Sequence, residues 1–197
     1  MNISLFRAAE AGKTEEVLQL IAQGADINER DSRGRTPLMA AVHGNKPAAV
    51  QAIINAGADI NLQDNRQDNP LLYAGAEGLL EILQILIRAG ADTRITNRFG
   101  GTALIPAADR GHVDNIRVLL EQSDVDIDHI NNLGWTALLE AVLLGNGGTK
   151  HQEIVSLLLK HGADRNIADY DGTTPLKHAQ QRGFREIENL LRSVQAQ

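Results

Sequence analysis

The chain has 197 residues, of which 43% are hydrophobic, 22% charged and only 3% aromatic, with a formal net charge of -6. This composition supports an aliphatic core and excludes a disordered polyelectrolyte, while the absence of cysteine excludes a disulfide scaffold, a zinc ribbon and a thiol nucleophile. An acidic chain with no long apolar run and no basic-then-apolar leader is expected in the cytoplasm, away from nucleic acid and membrane.

Leu5 opens a helical segment, and the same opening returns at Leu38, Leu71, Leu104, Leu138 and Leu176, at spacings of 33, 33, 33, 34 and 38. Gly-Ala-Asp recurs at 24–26, 57–59, 90–92 and 162–164, with a degenerate Ser123-Asp124-Val125-Asp126 between. A glycine-bearing turn precedes most of the leucines. Three markers in one register predict six repeats, at about 1–30, 31–63, 64–96, 97–130, 131–168 and 169–197.

Within each repeat the pattern predicts two helices. The first repeat has a short helix ended by Gly12 and a second carrying Val17, Leu20 and Ile21. In the second, Thr36-Pro37 joins a capping oxygen to a proline suited to the first helical turn. Asn69-Pro70 does the same in the third, where Gln67 stands at the turn's glycine position, so an irregular turn is expected. The fourth and fifth keep the cap as Thr102-Ala103 and Thr136-Ala137 and lose the proline. Val125 lengthens the fourth by one residue, and five extra residues of the fifth fall within Gly145–Lys150. The sixth restores Thr174-Pro175 and replaces apolar positions by Lys177, His178, Gln180 and Gln181, before a polar Ser193–Gln197.

The period, Thr-Pro-Leu, and the small residues of the first helices make the chain resemble the ankyrin-repeat family along nearly its whole length. Arg98-Phe99-Gly100-Gly101 and Gly134–Ala141 are similar to stretches of short stand-alone bacterial members. The resemblance implies an all-α solenoid of helix-turn-helix units joined by short β-hairpin-like fingers. It implies a single domain over 1–197 whose first and last repeats are caps. The family's histidine after the leucine is replaced by Phe6, Met39, Leu72, Ile105, Leu139 and Lys177, so apolar contact is expected in place of its hydrogen bonds.

Catalytic patterns are sparse. No histidine pair has the spacing of a zinc site on a helix, and no serine sits in a Gly-x-Ser-x-Gly elbow. Asp124, Asp126 and Asp128 lie on a linker, where solvated or turn-capping roles are expected. Gly145-Asn146-Gly147-Gly148-Thr149-Lys150 is the motif closest to a phosphate cradle. It follows a helix rather than a strand, and its Thr-Lys order reverses that of a P-loop. The main reading is a permissive or partner-touching loop; the alternative is a small-molecule or phosphate-binding protein using it.

The resemblance further implies a non-catalytic, monomeric protein-binding module, without cofactor or metal. Its partner would lie against the fingers and the exposed side of the first helices, the concave face of the family. Carried onto this sequence, that face comprises Arg33, Arg35, Arg66, Tyr73, Arg98, Phe99, Arg110, Leu133, Trp135, Glu140 and Tyr170. Arginines cluster in the first fingers, at Arg30, Arg33, Arg35, Arg66, Arg94 and Arg98, which suits a partner segment with acidic character. Trp135, the sole tryptophan, reads either as a binding hot spot or as a seal over the neighbouring finger.

Overall fold

The structure is a computed structural model that describes residues 3–193, and among these it is helical with no β-strand. The expected polar tail beyond Ser193 lies outside the described residues. The chain divides into two compact units, Met1–Arg98 and Phe99–Gln197. The first holds α1 (Ile3–Ala11), α2 (Thr14–Ala22), α3 (Pro37–His43), α4 (Pro47–Asn55), α5 (Pro70–Glu77) and α6 (Leu80–Arg88). There α1, α3 and α5 pack in sequence as one layer and α2, α4 and α6 as another. The second holds α7 (Leu104–Asp109), α8 (Val113–Gln122), α9 (Ala137–Leu143), α10 (Thr149–Lys160), α11 (Pro175–Gln181) and α12 (Arg185–Ser193). It repeats the arrangement, with α7, α9 and α11 in one layer and α8, α10 and α12 in the other.

The repeating leucines build the core. Leu5, Leu38, Leu71, Leu104 and Leu138 are buried, and Leu176 of the last repeat keeps part of its surface in solvent. Phe6, Met39, Leu72, Ile105 and Leu139 are buried beside them, so apolar contact does replace the family's histidine; Lys177 is exposed. Second helices contribute one stripe each, such as Val50 and Ile53 or Leu119 and Ile116, with a polar face outward.

Four first helices are capped as their sequences require. Thr36, Asn69, Thr136 and Thr174 each accept a hydrogen bond from the backbone N–H three residues on. The Thr102 cap does not form. In the other repeats the fourth residue after the cap, Ala40, Tyr73, Glu140 or His178, donates its N–H to the cap carbonyl. In the fourth repeat that place is Pro106, which has no N–H. The Ile105 N–H therefore turns to the Thr102 carbonyl at 3.3 Å, Ala103 becomes helical, and Thr102 Oγ1 is buried without a partner among the described residues.

Each finger is a tight turn closed by the backbone: Asp31 N–H donates to Arg35 O (3.0 Å) and Gly34 N–H to Asp31 O (2.9 Å). A side-chain oxygen completes it. Asp31 Oδ1 accepts from the N–H groups of Arg33 and Arg35, Asp64 from Arg66 and Asp68, Asn131 from Leu133 and Trp135, and Asp169 from Asp171 and Thr173. The irregular finger expected at Gln67 is not found. Gln67 takes the left-handed conformation itself, at φ 61°, and donates to Asp64 O at 3.0 Å. Three hydrogen bonds around it, to Asp64 Oδ1 and from the Gln63 amide, offset a cost of roughly 1–2 kcal/mol for the missing glycine.

Beyond the fingers, neighbouring repeats are linked by one recurring bond. Asn28 Oδ1 accepts the N–H of Asp59 (2.9 Å), Asn61 that of Asp92 (3.0 Å), and Asp128 that of Asp164 (2.9 Å).

Gly134 has φ 80°, and a Cβ there would lie 2.8 Å from the Tyr170 ring. Replacing Gly134 by Val is expected to destabilise the protein by about 1–2 kcal/mol, chiefly through backbone strain. Thermal denaturation followed by circular dichroism checks this; an unchanged melting temperature contradicts the finger geometry.

Candidate partner-binding surface

In the first compact unit the finger arginines divide into two groups. Arg30 donates to the carbonyls of Gly34 (3.2 Å) and Gln63 (2.5 Å), bridging two successive fingers. Arg35 is mostly covered, with Nε 2.9 Å from Asp31 Oδ2 and a second contact to Glu10 at 3.4 Å. Burial opposes the Asp31 charge, yet the N–H groups of Arg35 and Arg33 and the Arg35 guanidinium hold its pKa below the usual range. Arg94 is bound to Asp92 at 2.9 Å. Arg33, Arg66 and Arg98 are exposed; Arg33 and Arg66 hold the same place in successive fingers.

Tyr73, expected on the same side, is half-buried with its ring stacked on His43 at 3.9 Å between centroids and 37° between planes. His43 is pushed toward its neutral form, first by burial and then by the charge of Arg35. Its Nε2 is buried without a hydrogen bond among the described residues.

The second unit presents a different surface. Phe99 is 51% exposed, Ile130 and Leu133 48% each, and Tyr170 76%. They sit on contiguous fingers: Asn132 N–H donates to Phe99 O at 2.9 Å, and the Tyr170 ring lies over Gly134. Trp135 is half-buried behind Leu133 in the same turn, and its N–H is held by Asn131 Oδ1. Arg110 is exposed just past the end of α7.

Glu140, expected at the partner face, is only 7% exposed. Its Oε1 accepts from Asn131 Nδ2 at 2.8 Å. Burial pushes its pKa up to about 7, the charge of Asp109 pushes the same way, and the Asn131 hydrogen bond opposes both. The next repeat holds the same two places with Asp169 and His178, whose Nε2 donates to Asp169 Oδ2 at 2.7 Å. Hydrogen bonds from Thr173, His178 and Asp171 hold the Asp169 carboxyl below its usual range. A polar residue nine positions after the finger's Asp or Asn was the signal for this pairing, and sequence reading alone did not draw it.

The glycine-rich loop between α9 and α10 is tied to its surroundings. Asn146 Oδ1 accepts the Gly148 N–H (2.9 Å), Gln152 donates to Gly147 O (2.8 Å), and Arg182 donates to Leu143 O (2.7 Å) and Gly145 O (3.0 Å). His151 Nε2 donates to Asp109 O at 2.9 Å, and the Phe184 ring closes over Gly147. No group of three or more metal-ligating side chains is assembled among the described residues, and none of their helices is long and apolar enough to cross a membrane.

A model of ankyrin repeats (three copies) matches residues 5–97 and 71–169. The putative ankyrin repeat protein YahD of Escherichia coli K12 is 46% identical over 80 residues, 41% of this chain and 40% of YahD, so the match spans about two fifths of that relative's length. An ankyrin repeat domain from Acinetobacter baumannii AYE is 53% identical over 95% of each chain, with a TM-score of 0.91. A chain from the complex of the Bdellovibrio bacteriovorus predatory endopeptidase Bd0816 with immunity protein Bd3460 is 25% identical, covering 98% of this chain and 99% of that one, with a TM-score of 0.77.

The raised Glu140 pKa has a signed consequence. An unfolded glutamate titrates near 4.5 and the folded one near 7, so the folded state binds more protons between these values. Stability is therefore expected to fall as pH rises from 4.5 through 7. Glu140→Gln is expected to flatten that slope and to raise stability at pH 8 by about 1–3 kcal/mol. Urea melts of both proteins across this range check it; parallel curves count against the buried carboxyl.

Proposed function

From the fact that the chain belongs to the ankyrin-repeat family, we propose that it is a non-catalytic protein-binding module that uses its fingers and the exposed side of its first helices. The observation that carries this reading is the contrast within one register. The finger's Asp or Asn and its hydrogen bonds repeat, while the residue two places on changes from Arg33 and Arg66 to Phe99, Leu133 and Asp171. A fixed frame that varies only its outward groups is suited to recognition, and a preformed frame loses little ordering entropy on binding. The Bdellovibrio complex, in which an immunity protein accompanies an endopeptidase, supports a protein as the partner class.

Arg33 and Arg66 supply the acidic-segment preference, because their side chains are exposed, Arg66 with only a long 3.9 Å contact to Asp68, while Arg30 and Arg35 are held closely within the protein. The remaining site residues in this proposal are Tyr73, Arg98, Phe99, Arg110, Leu133, Trp135 and Tyr170. The molecule works as a monomeric single domain in the cytoplasm, with no cofactor. The phosphate-loop alternative finds less support, since the Gly148 N–H is already taken by Asn146 Oδ1.

The test is capture from an extract of the source cell with tagged protein, comparing the parent with Arg33→Glu/Arg66→Glu. A specific partner should be retained by the parent and weakened roughly ten-fold or more in the variant, with steeper salt dependence in the parent. A thermal shift with nucleotides or inorganic phosphate, and no retained protein, overturns the reading.

A further inference from the structure

The fingers of the first unit close their own edge. Arg30 spans the Gly34 and Gln63 carbonyls, and Gln63 repeats this one finger later, donating to Gln67 O (2.7 Å) and Thr96 O (2.8 Å). In both cases a side chain just before the turn neutralises one carbonyl of its own turn and one of the next finger. In the second unit the same place, before the turn at Asn131, is Ile130, which has nothing to donate. The carbonyls that correspond to the pair are Gly134 O and Ala168 O, and no side chain among the described residues donates to either. Around them lie the exposed Ile130, Leu133 and Tyr170, and the exposed carboxylate of Asp171.

We propose that this finger edge of the second unit docks an extended partner segment that alternates apolar and arginine side chains, with one partner guanidinium placed across Gly134 O and Ala168 O as Arg30 lies across Gly34 O and Gln63 O. The chain itself supplies the template for that contact. A guanidinium matches two converging carbonyls, and Asp171 adds charge complementarity. Its aliphatic stem and the neighbouring apolar residues cover Ile130, Leu133 and Tyr170, which otherwise face water. This rests on the protein-binding reading above and adds a second chemistry to it, opposite in charge to the preference of Arg33 and Arg66.

The experiment uses the full chain and three labelled synthetic peptides of equal length, alternating Arg/Leu, Glu/Leu and Arg/Ser. Fluorescence anisotropy gives affinity, and the emission of Trp135, the sole tryptophan, reports contact beside Leu133. The Arg/Leu peptide is expected to bind saturably and shift Trp135 emission to the blue, with the other two weaker by roughly ten-fold or more. Ile130→Arg is the decisive variant, because it fills the carbonyl pair from within. It should fold with an unchanged or higher melting temperature and lose the Arg/Leu peptide. Leu133→Asn, at an exposed position, should weaken the same peptide without altering the fold. Equal binding of the three peptides, or undiminished binding by Ile130→Arg, overturns the inference. Neither result touches partner capture through Arg33 and Arg66, so the two readings fail separately.

Discussion

One side-chain oxygen at the start of a finger gathers two backbone N–H groups, and the first helix that follows is placed by that convergence. At Asp31, Asp64, Asn131 and Asp169 the bonds fix the turn, and with it the direction of the two residues at the tip. The chain leaves the turn already extended at the capping residue, so the first helix starts in a set position. The second atom of the same side chain then dictates its neighbour. An aspartate oxygen accepts and is met by a donor, Arg35 or His178, whereas the amide of Asn131 donates and is met by Glu140. Exchanging Asp for Asn at this place turns the partner it can hold from a hydrogen-bond donor into an acceptor.

The architecture was legible because its determinants are local and repeated. Leucine spacing, the capping pairs and the left-handed glycines Gly12, Gly78, Gly111 and Gly183 each act within a few residues, and the structure places them as the pattern requires. What failed was decided by a neighbour. The cap at Thr102 depends on whether Pro106 can donate, and the turn at Gln67 on hydrogen bonds from Gln63 and to Asp64. Of the candidate surface, exposure was legible at Arg33, Arg66, Phe99, Leu133 and Tyr170, where the turn geometry points the residue outward. It was not legible at Arg35 or Glu140, because both turn inward to the finger's own side chain: Arg35 to Asp31, four residues before it, and Glu140 to Asn131, nine before it.

The two compact units use one frame for opposite surface chemistries. In the first, long polar side chains lie along the finger edge and leave guanidinium groups at the tips. In the second, aliphatic and aromatic groups occupy the tips, and the polar pairs Asn131–Glu140 and Asp169–His178 are drawn inward against the first helices. Neither choice disturbs the core, since Leu38, Leu71, Leu104 and Leu138 are buried in both units alike.

The bond from Asn28 to Asp59, repeated from Asn61 to Asp92 and from Asp128 to Asp164, gives the first, second and fourth repeats the same outgoing acceptor and the second, third and fifth the same incoming donor. The second repeat, which carries both Asp59 and Asn61, would if copied whole beside itself arrive with both ends already fitting. For the gene, lengthening by that complete period is a single event that leaves both of its joins satisfied. Gain or loss of a partial period leaves that oxygen and that N–H to water instead of to each other. Length can vary freely only where the chain is out of that series, and the stretch between α9 and α10, enlarged here and held by Arg182 and His151, is such a place.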